Sequence, residues 1–204
     1  MMSREEIGMK KSLVVDSNFS QLKLDLKQKL KQRERRFLDN PGYKLAAVNI
    51  LLMDKANEPH VLLTQRSEQV KTHKGQISLP GGTFEIRDEN ILATAYRETF
   101  EEIGIAKDKI DFLGRFDDYL SIFGFHVSCF VGSIEYPAKY IFDKNEVADY
   151  LEAPLALFID KQYDQLEYYQ FQGKRVKMYT YFYNNFKIWG LTARFLTDFG
   201  EIFR

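Results

Sequence analysis

The amino-acid sequence predicts an α/β or α+β sandwich. Strand-like and helix-like stretches interleave along the chain instead of segregating into blocks. At 204 residues it is long enough for one domain with a substantial core plus a terminal extension, and short for two full domains. One helical run, 90–103, follows a glycine-bearing polar loop and meets a stop at Gly104.

Taken in order, residues 20–38 read as a helix, because Leu22, Leu26, Leu30 and Phe37 recur close to helical spacing without an intervening Gly or Pro. Pro41-Gly42 ends that segment. Between Gln21 and Arg36 seven Lys/Arg stand against Asp25 and Glu34, so the helix is basic. The simpler reading is a solvated helix that packs its leucine stripe on the domain; the alternative is an arm for phosphate or nucleic acid. The expected division is a basic helical extension over 1–40 and a domain over 41–204.

Apolar runs at 44–53 and 59–65, joined by the turn-rich 54–58, predict a hairpin. Further strands are expected at 111–116, 126–134 and 176–183, with a helical stretch around 146–151 and a packed helix start at Trp189-Gly190-Leu191-Thr192. His60 reads as a turn residue and His126 as a strand residue, neither with a function.

Lys+Arg and Asp+Glu both total 29, so overall charge gives no reason to expect a nucleic-acid or membrane partner. The single cysteine, Cys129, lies in the apolar run 125–131 and reads as a small buried hydrophobe. Residues 1–11 lack the apolar stretch of a signal peptide, and no run is long enough to span a bilayer. The expected compartment is reducing and cytoplasmic.

Chemistry concentrates between Gly81 and Ile105. On a helix, Glu98, Glu101 and Glu102 stand at i, i+3 and i+4, so their carboxylates share one face and repel. A hard divalent cation would turn that repulsion into binding, whereas an ordinary acidic face would merely be solvated. Arg97, four residues before Glu101, offsets some of the charge and keeps the solvated-face reading open. Pro80-Gly81-Gly82 ahead of the helix allows positive φ and close backbone approach, and Glu85, Asp88 and Glu89 follow in the loop.

Together these residues resemble the Nudix box, the loop–helix–loop signature of hydrolases that cleave nucleoside diphosphates linked to another moiety. It reads as Gly82, six residues, Glu89, seven residues, then Arg97-Glu98-x-x-Glu101-Glu102-x-Gly104-Ile105. Between the Gly and the first Glu this copy carries one residue more than usual, and Thr99 stands where a bulky aliphatic residue is common. The resemblance implies a Nudix-type α/β/α sandwich with a mixed sheet. It also implies Mg²⁺ or Mn²⁺ on Glu98, Glu101 and Glu102, and a supporting role for Glu89 and Arg97.

Upstream, Leu62-Leu63-Thr64-Gln65-Arg66-Ser67, then Lys71, His73, Gly75 and Gln76, then Leu79-Pro80-Gly81-Gly82, are similar to the extra signature of the coenzyme A pyrophosphatase branch. Lys71 stands for the usual Arg, which loses bidentate phosphate geometry, and Leu79 for the usual Phe. Asn145-Glu146-Val147, 152–155 and 188–193 continue the likeness, which spans about 45–199.

That resemblance implies hydrolysis of the coenzyme A phosphoanhydride to 3′,5′-ADP and 4′-phosphopantetheine. Arg66 and Lys71 are candidate phosphate contacts, with a surface ion pair as the other reading of Arg66. Gly81 and Gly82 bring backbone to the substrate. The catalytic candidates are Glu101, Glu102 and Glu146, with Glu102 or Glu146 as base. Asp143 and Glu146 also have the spacing of a capping box, which gives Glu146 a second reading. The aromatic-rich tract 163–189 could supply an adenine partner or simply core.

Two rivals remain: a Nudix hydrolase for another nucleotide such as ADP-ribose or a dinucleoside polyphosphate, and a non-catalytic nucleotide-sensing module. The expected partner is a small nucleotide, with no membrane or nucleic acid; a homodimer is left open.

Overall fold

A computed structural model describes residues 18–38, 41–70 and 73–204; the first part of the expected extension, 1–17, lies outside them. Helix α1 (Phe19–Gln32) begins at Asn18, whose side chain accepts the Ser20 N–H at 3.0 Å, and it buries Leu22, Leu26 and Leu30. It is shorter than the expected 20–38. At Arg33 the backbone becomes extended, and the Arg33 guanidinium grips Asp117 through two bonds of 2.8 and 3.1 Å. The Arg36 N–H donates to the same carboxylate at 2.9 Å. Phe37, expected on the leucine stripe, is exposed, with its ring edge toward His126.

The expected hairpin is present as β1 (Lys44–Lys55) and β2 (Glu58–Arg66), closed through Ala56 and Asn57 at positive φ. His60 is not in the turn: it is buried in β2 opposite Met53, with Nδ1 2.9 Å from the Glu58 carbonyl oxygen. Short strands β3 (Ile77–Ser78) and β4 (Gly81–Thr83) pair with β2 and β1. Helix α2 (Ile91–Ile103) follows, then β5 (Asp111–Leu120), β6 (Phe125–Ser133) and β7 (Val147–Pro154). Among the described residues these strands form one seven-stranded sheet, ordered β3-β2-β1-β6-β5, with β4 on β1 and β7 on β2. The β1–β6 pair is parallel and the others antiparallel, so the sheet is mixed.

The helical expectation around 146–151 is wrong: Val147 begins β7, which pairs with β2 from Arg66 to His60. Val147 and Leu151 are both buried and four residues apart, a spacing that a helix and a strand alike place on one face. The free edge of β2 settles the choice, because its unpaired N–H and C=O groups need a partner.

After β7 come α3 (Ala156–Ile159), β8 (Gln165–Phe171), β9 (Lys174–Tyr183), β10 (Phe186–Trp189) and α4 (Gly190–Gly200); β10, β9 and β8 make a second, antiparallel sheet. Alternation along the hairpin divides the core into two layers. Leu51, Met53 and Leu62 pack with Tyr96 and Ile103 of α2. Ile50, Leu52, Val61 and Leu63 join Leu26 of α1, Phe158 of α3 and Phe195 and Phe199 of α4 in the opposite layer. The result is the α/β/α sandwich, and β1 is buried almost throughout because both its faces are covered. Cys129 is fully buried in it. No helix among the described residues is long and apolar enough to cross a membrane.

Candidate active site

The loop and helix that carry the acidic cluster are tied by one ion pair. Asp88 is buried, and its carboxylate accepts the Glu85 N–H, the Thr94 hydroxyl and Nε of Arg97 at 2.8–2.9 Å, plus Nη2 of Arg97 at 3.0 Å. Arg97 also donates to the Thr83 carbonyl at 2.9 Å and to Glu98 and Glu101 at 2.8 Å each, so one guanidinium fastens β4, the loop and α2 together. The Arg97 hydrogen bonds hold the Asp88 carboxyl well below the usual carboxylate range.

Glu89, expected to support the loop, is exposed; Asp88 does that work. Five residues separate Gly82 from Asp88, the usual interval, so the extra residue falls between Asp88 and Arg97. Asn90 absorbs it by capping α2, accepting the Leu92 and Ala93 N–H groups at 3.0 Å each. Gly104 ends the helix in the left-handed conformation, as expected. Thr99 is explained as well: its hydroxyl accepts from the amide of buried Asn49 in β1 at 2.7 Å, and that amide also donates to the Ala95 carbonyl at 3.0 Å. The sequence signal for this pair was a polar residue inside an apolar strand.

Two glycines let β4 lie close to its neighbours, Gly81 against β1 and Gly82 against α2. Gly81 has φ 150°, and a Cβ there would strike the Ala47 carbonyl; a Cβ on Gly82 would run into the Glu98 carboxyl. Close approach lets the Gly81 N–H donate to Oε2 of Glu102 at 3.1 Å. Glu102 is only 2% exposed. Burial pushes its pKa up to about 8, and the charges of Glu98 and Glu146 push the same way against the Gly81 N–H and Arg66. Glu98 is raised by burial too, with Glu101 and Glu146 adding to the effect and Arg97 opposing it.

Arg66 ends β2 with Nη1 3.9 Å from Oε1 of Glu102, and its Nε is buried without a partner. Glu146 sits in the turn that enters β7. Its carbonyl accepts the Ser67 N–H at 2.8 Å, and its own N–H donates to the Asp143 carbonyl at 2.9 Å. Asp143 does accept the Asn145 N–H, at 2.9 Å, but a strand follows and the capping-box helix does not form. The fold therefore gathers Arg66, Gly81, Gly82, Glu98, Glu102 and Glu146 from four separate segments.

Glu101 is more exposed and turns toward Arg97 and Arg87, the latter at 3.2 Å. Lys71 lies outside the described residues. His73 stays in its loop, with Nδ1 2.9 Å from Oε1 of Gln76 and its ring edge-on to Phe123.

Among the described residues no three acidic, His or Cys side chains converge in coordination geometry. The donor set nevertheless fits a hard divalent cation. Every candidate ligand is a carboxylate, and burial, which raises Glu98 and Glu102 most, together with the lesser push of neighbouring acids leaves carboxylates whose charge a cation would compensate.

Comparison with known proteins agrees with this architecture. The family model for the NUDIX domain matches residues 43–171. The uncharacterized Nudix hydrolase NudL of Photorhabdus laumondii is 32% identical over 82% of this chain and 88% of its own length. Its counterpart in Citrobacter koseri is 34% identical over 75% of this chain and 79% of its own. Among solved structures, the Nudix hydrolase RenU of M. smegmatis aligns with 58% of this chain and 75% of its own at 18% identity, TM-score 0.49.

Proposed function

The chain belongs to the Nudix hydrolase family, and from that premise we propose that it cleaves the phosphoanhydride of coenzyme A or an acyl derivative. The products are 3′,5′-ADP and 4′-phosphopantetheine or its acyl form. One observation carries the choice of substrate: the 62–67 run, similar to the coenzyme A branch, ends at the site itself. Arg66 stands beside Glu102, and Ser67 holds the backbone of Glu146. A segment that reads as branch-specific in sequence thus forms one wall of the acidic cleft.

Glu98 and Glu102, with Glu101 as third ligand, would hold Mg²⁺ or Mn²⁺. When bound, the cation offsets the charge of the diphosphate and makes phosphorus more open to attack. The protein's own groups do the rest. Arg66 attracts and orients the diphosphate. Gly81 and Gly82 let β4 lie close against β1 and the Glu98 carboxyl, and the Asp88–Arg97 pair keeps α2 at a fixed distance from β4. Glu102 or Glu146 accepts the proton of the attacking water as the P–O bond to the leaving phosphate breaks. The setting is a reducing, cytoplasmic one, in which buried Cys129 remains a thiol.

A competition panel of coenzyme A, ADP-ribose and diadenosine polyphosphates with Mg²⁺ or Mn²⁺ tests the specificity. Preferential consumption of coenzyme A is expected; preference for another member would keep the hydrolase and discard this substrate. Binding of nucleotides without turnover, by folded and metal-loaded protein, would favour the sensor.

A further inference from the structure

A cleft of about 530 Å³ lies between α1 and β5, at the edge of the main sheet away from Arg66 and Glu102. Five cationic side chains line it: Lys27 and Lys31 from α1, Arg33 and Arg35 from the extended segment after it, and Arg115 from β5. None of the lining residues is acidic.

Three of the cations are fixed from behind: Lys27 by Asp111 at 2.8 Å, Arg33 by Asp117 at 2.8 Å and Arg115 by Asp118 at 3.0 Å. Lys31 and Arg35 have no carboxylate partner among the described residues, so the cleft keeps positive charge that its own fold does not neutralise. Phe112, 40% exposed, adds an aromatic surface to this wall. Lys31 is exposed at the rim, and helix, following segment and strand place their cations around one concavity whose size falls in the range of small-molecule sites. Phosphate oxygens satisfy such a set of donors, and a flat base satisfies the phenyl ring.

We propose that the cleft between α1 and β5 is a second ligand site that takes a free nucleotide, its phosphate chain on Lys31 and Arg35 and its base against Phe112. The site does not depend on the hydrolytic reading, because it shares no residue with the acidic cleft.

Isothermal titration with β,γ-methylene ATP, without divalent cation so that the acidic cleft repels the probe, tests it. The full chain is expected to bind one equivalent, more weakly as salt is raised. Lys31→Glu/Arg35→Glu is expected to weaken binding by about tenfold or more, the effect of removing one good charged contact or better. Hydrolysis at the acidic cleft should be unchanged in that variant. The milder Lys31→Gln/Arg35→Gln, which removes charge without adding any, should follow the same direction if the reversal perturbs folding. Absence of binding, or equal affinity in wild type and the neutral variant, overturns the proposal. Much tighter binding of a short single-stranded RNA than of the nucleotide overturns it in favour of a nucleic-acid surface.

Discussion

Asp88 and Arg97 are the residues on which the geometry of the acidic loop turns. Both side chains are largely buried, so removing Asp88 strips Arg97 of its two bonds to that carboxylate and leaves it hydrogen-bonded only to Glu98, Glu101 and the Thr83 carbonyl. Asp88→Asn is expected to cost on the order of 2 kcal/mol in urea denaturation. Glu89→Gln, on the exposed neighbour, should stay within about 0.5 kcal/mol. Equal effects would contradict the assignment of Asp88. The same pair carries a pH signature. Because the folded-state pKa of Asp88 is depressed below its ordinary 3.8, the stability it contributes is complete above that value and is lost as pH falls below it. The stability gap between wild type and Asp88→Asn should therefore be constant at neutral pH and narrow below about pH 4. At Glu146 a strand follows instead of a helix, which removes the capping-box reading. Glu146→Gln should lose about a hundredfold or more in turnover with an unchanged melting temperature, and a stability loss with retained turnover would assign it to the turn instead.

At the scale of elements, the approach of β4 to α2 is set by Gly82, and that of β4 to β1 by Gly81. Gly82→Ala should displace the Glu98 carboxyl and lower kcat by about a hundredfold, read by steady-state kinetics alongside circular dichroism showing a retained fold. Much of this was legible beforehand. The β1–β2 hairpin, α2 with its stop at Gly104, and the start of α4 all follow from local periodicity and turn chemistry, which act over a few residues. What was not legible depends on partners distant in sequence. The extended run after Gln32 is drawn out by Asp117, some eighty residues away. β7 exists because the edge of β2 is free, and the four-residue spacing of Val147 and Leu151 could not choose between helix and strand. Within the site, the run from Arg97 to Glu102 was plain, but Glu89 matched by residue type, although the usual five-residue interval from Gly82 lands on Asp88. Only the position of Arg97 relative to the loop decides between two adjacent acids.

Across the whole molecule, the acidic site lies where the end of β2, β4 and α2 meet, while α1 closes the layer opposite α2. The leucines of α1 lie in the same core as α4, so α1 supports the scaffold that holds the site. Leu26→Ala, at a side chain 1% exposed, is expected to cost about 2–5 kcal/mol in chemical denaturation; an effect near zero would mean that α1 packs only loosely. The proposed hydrolysis of coenzyme A with the help of a divalent cation is read by release of 3′,5′-ADP from coenzyme A with and without Mg²⁺ or Mn²⁺, for wild type and Glu98→Gln. Cation-dependent release by the wild type, falling by orders of magnitude in the variant, is expected. Release that needs no divalent cation, or that survives Glu98→Gln undiminished, would contradict it.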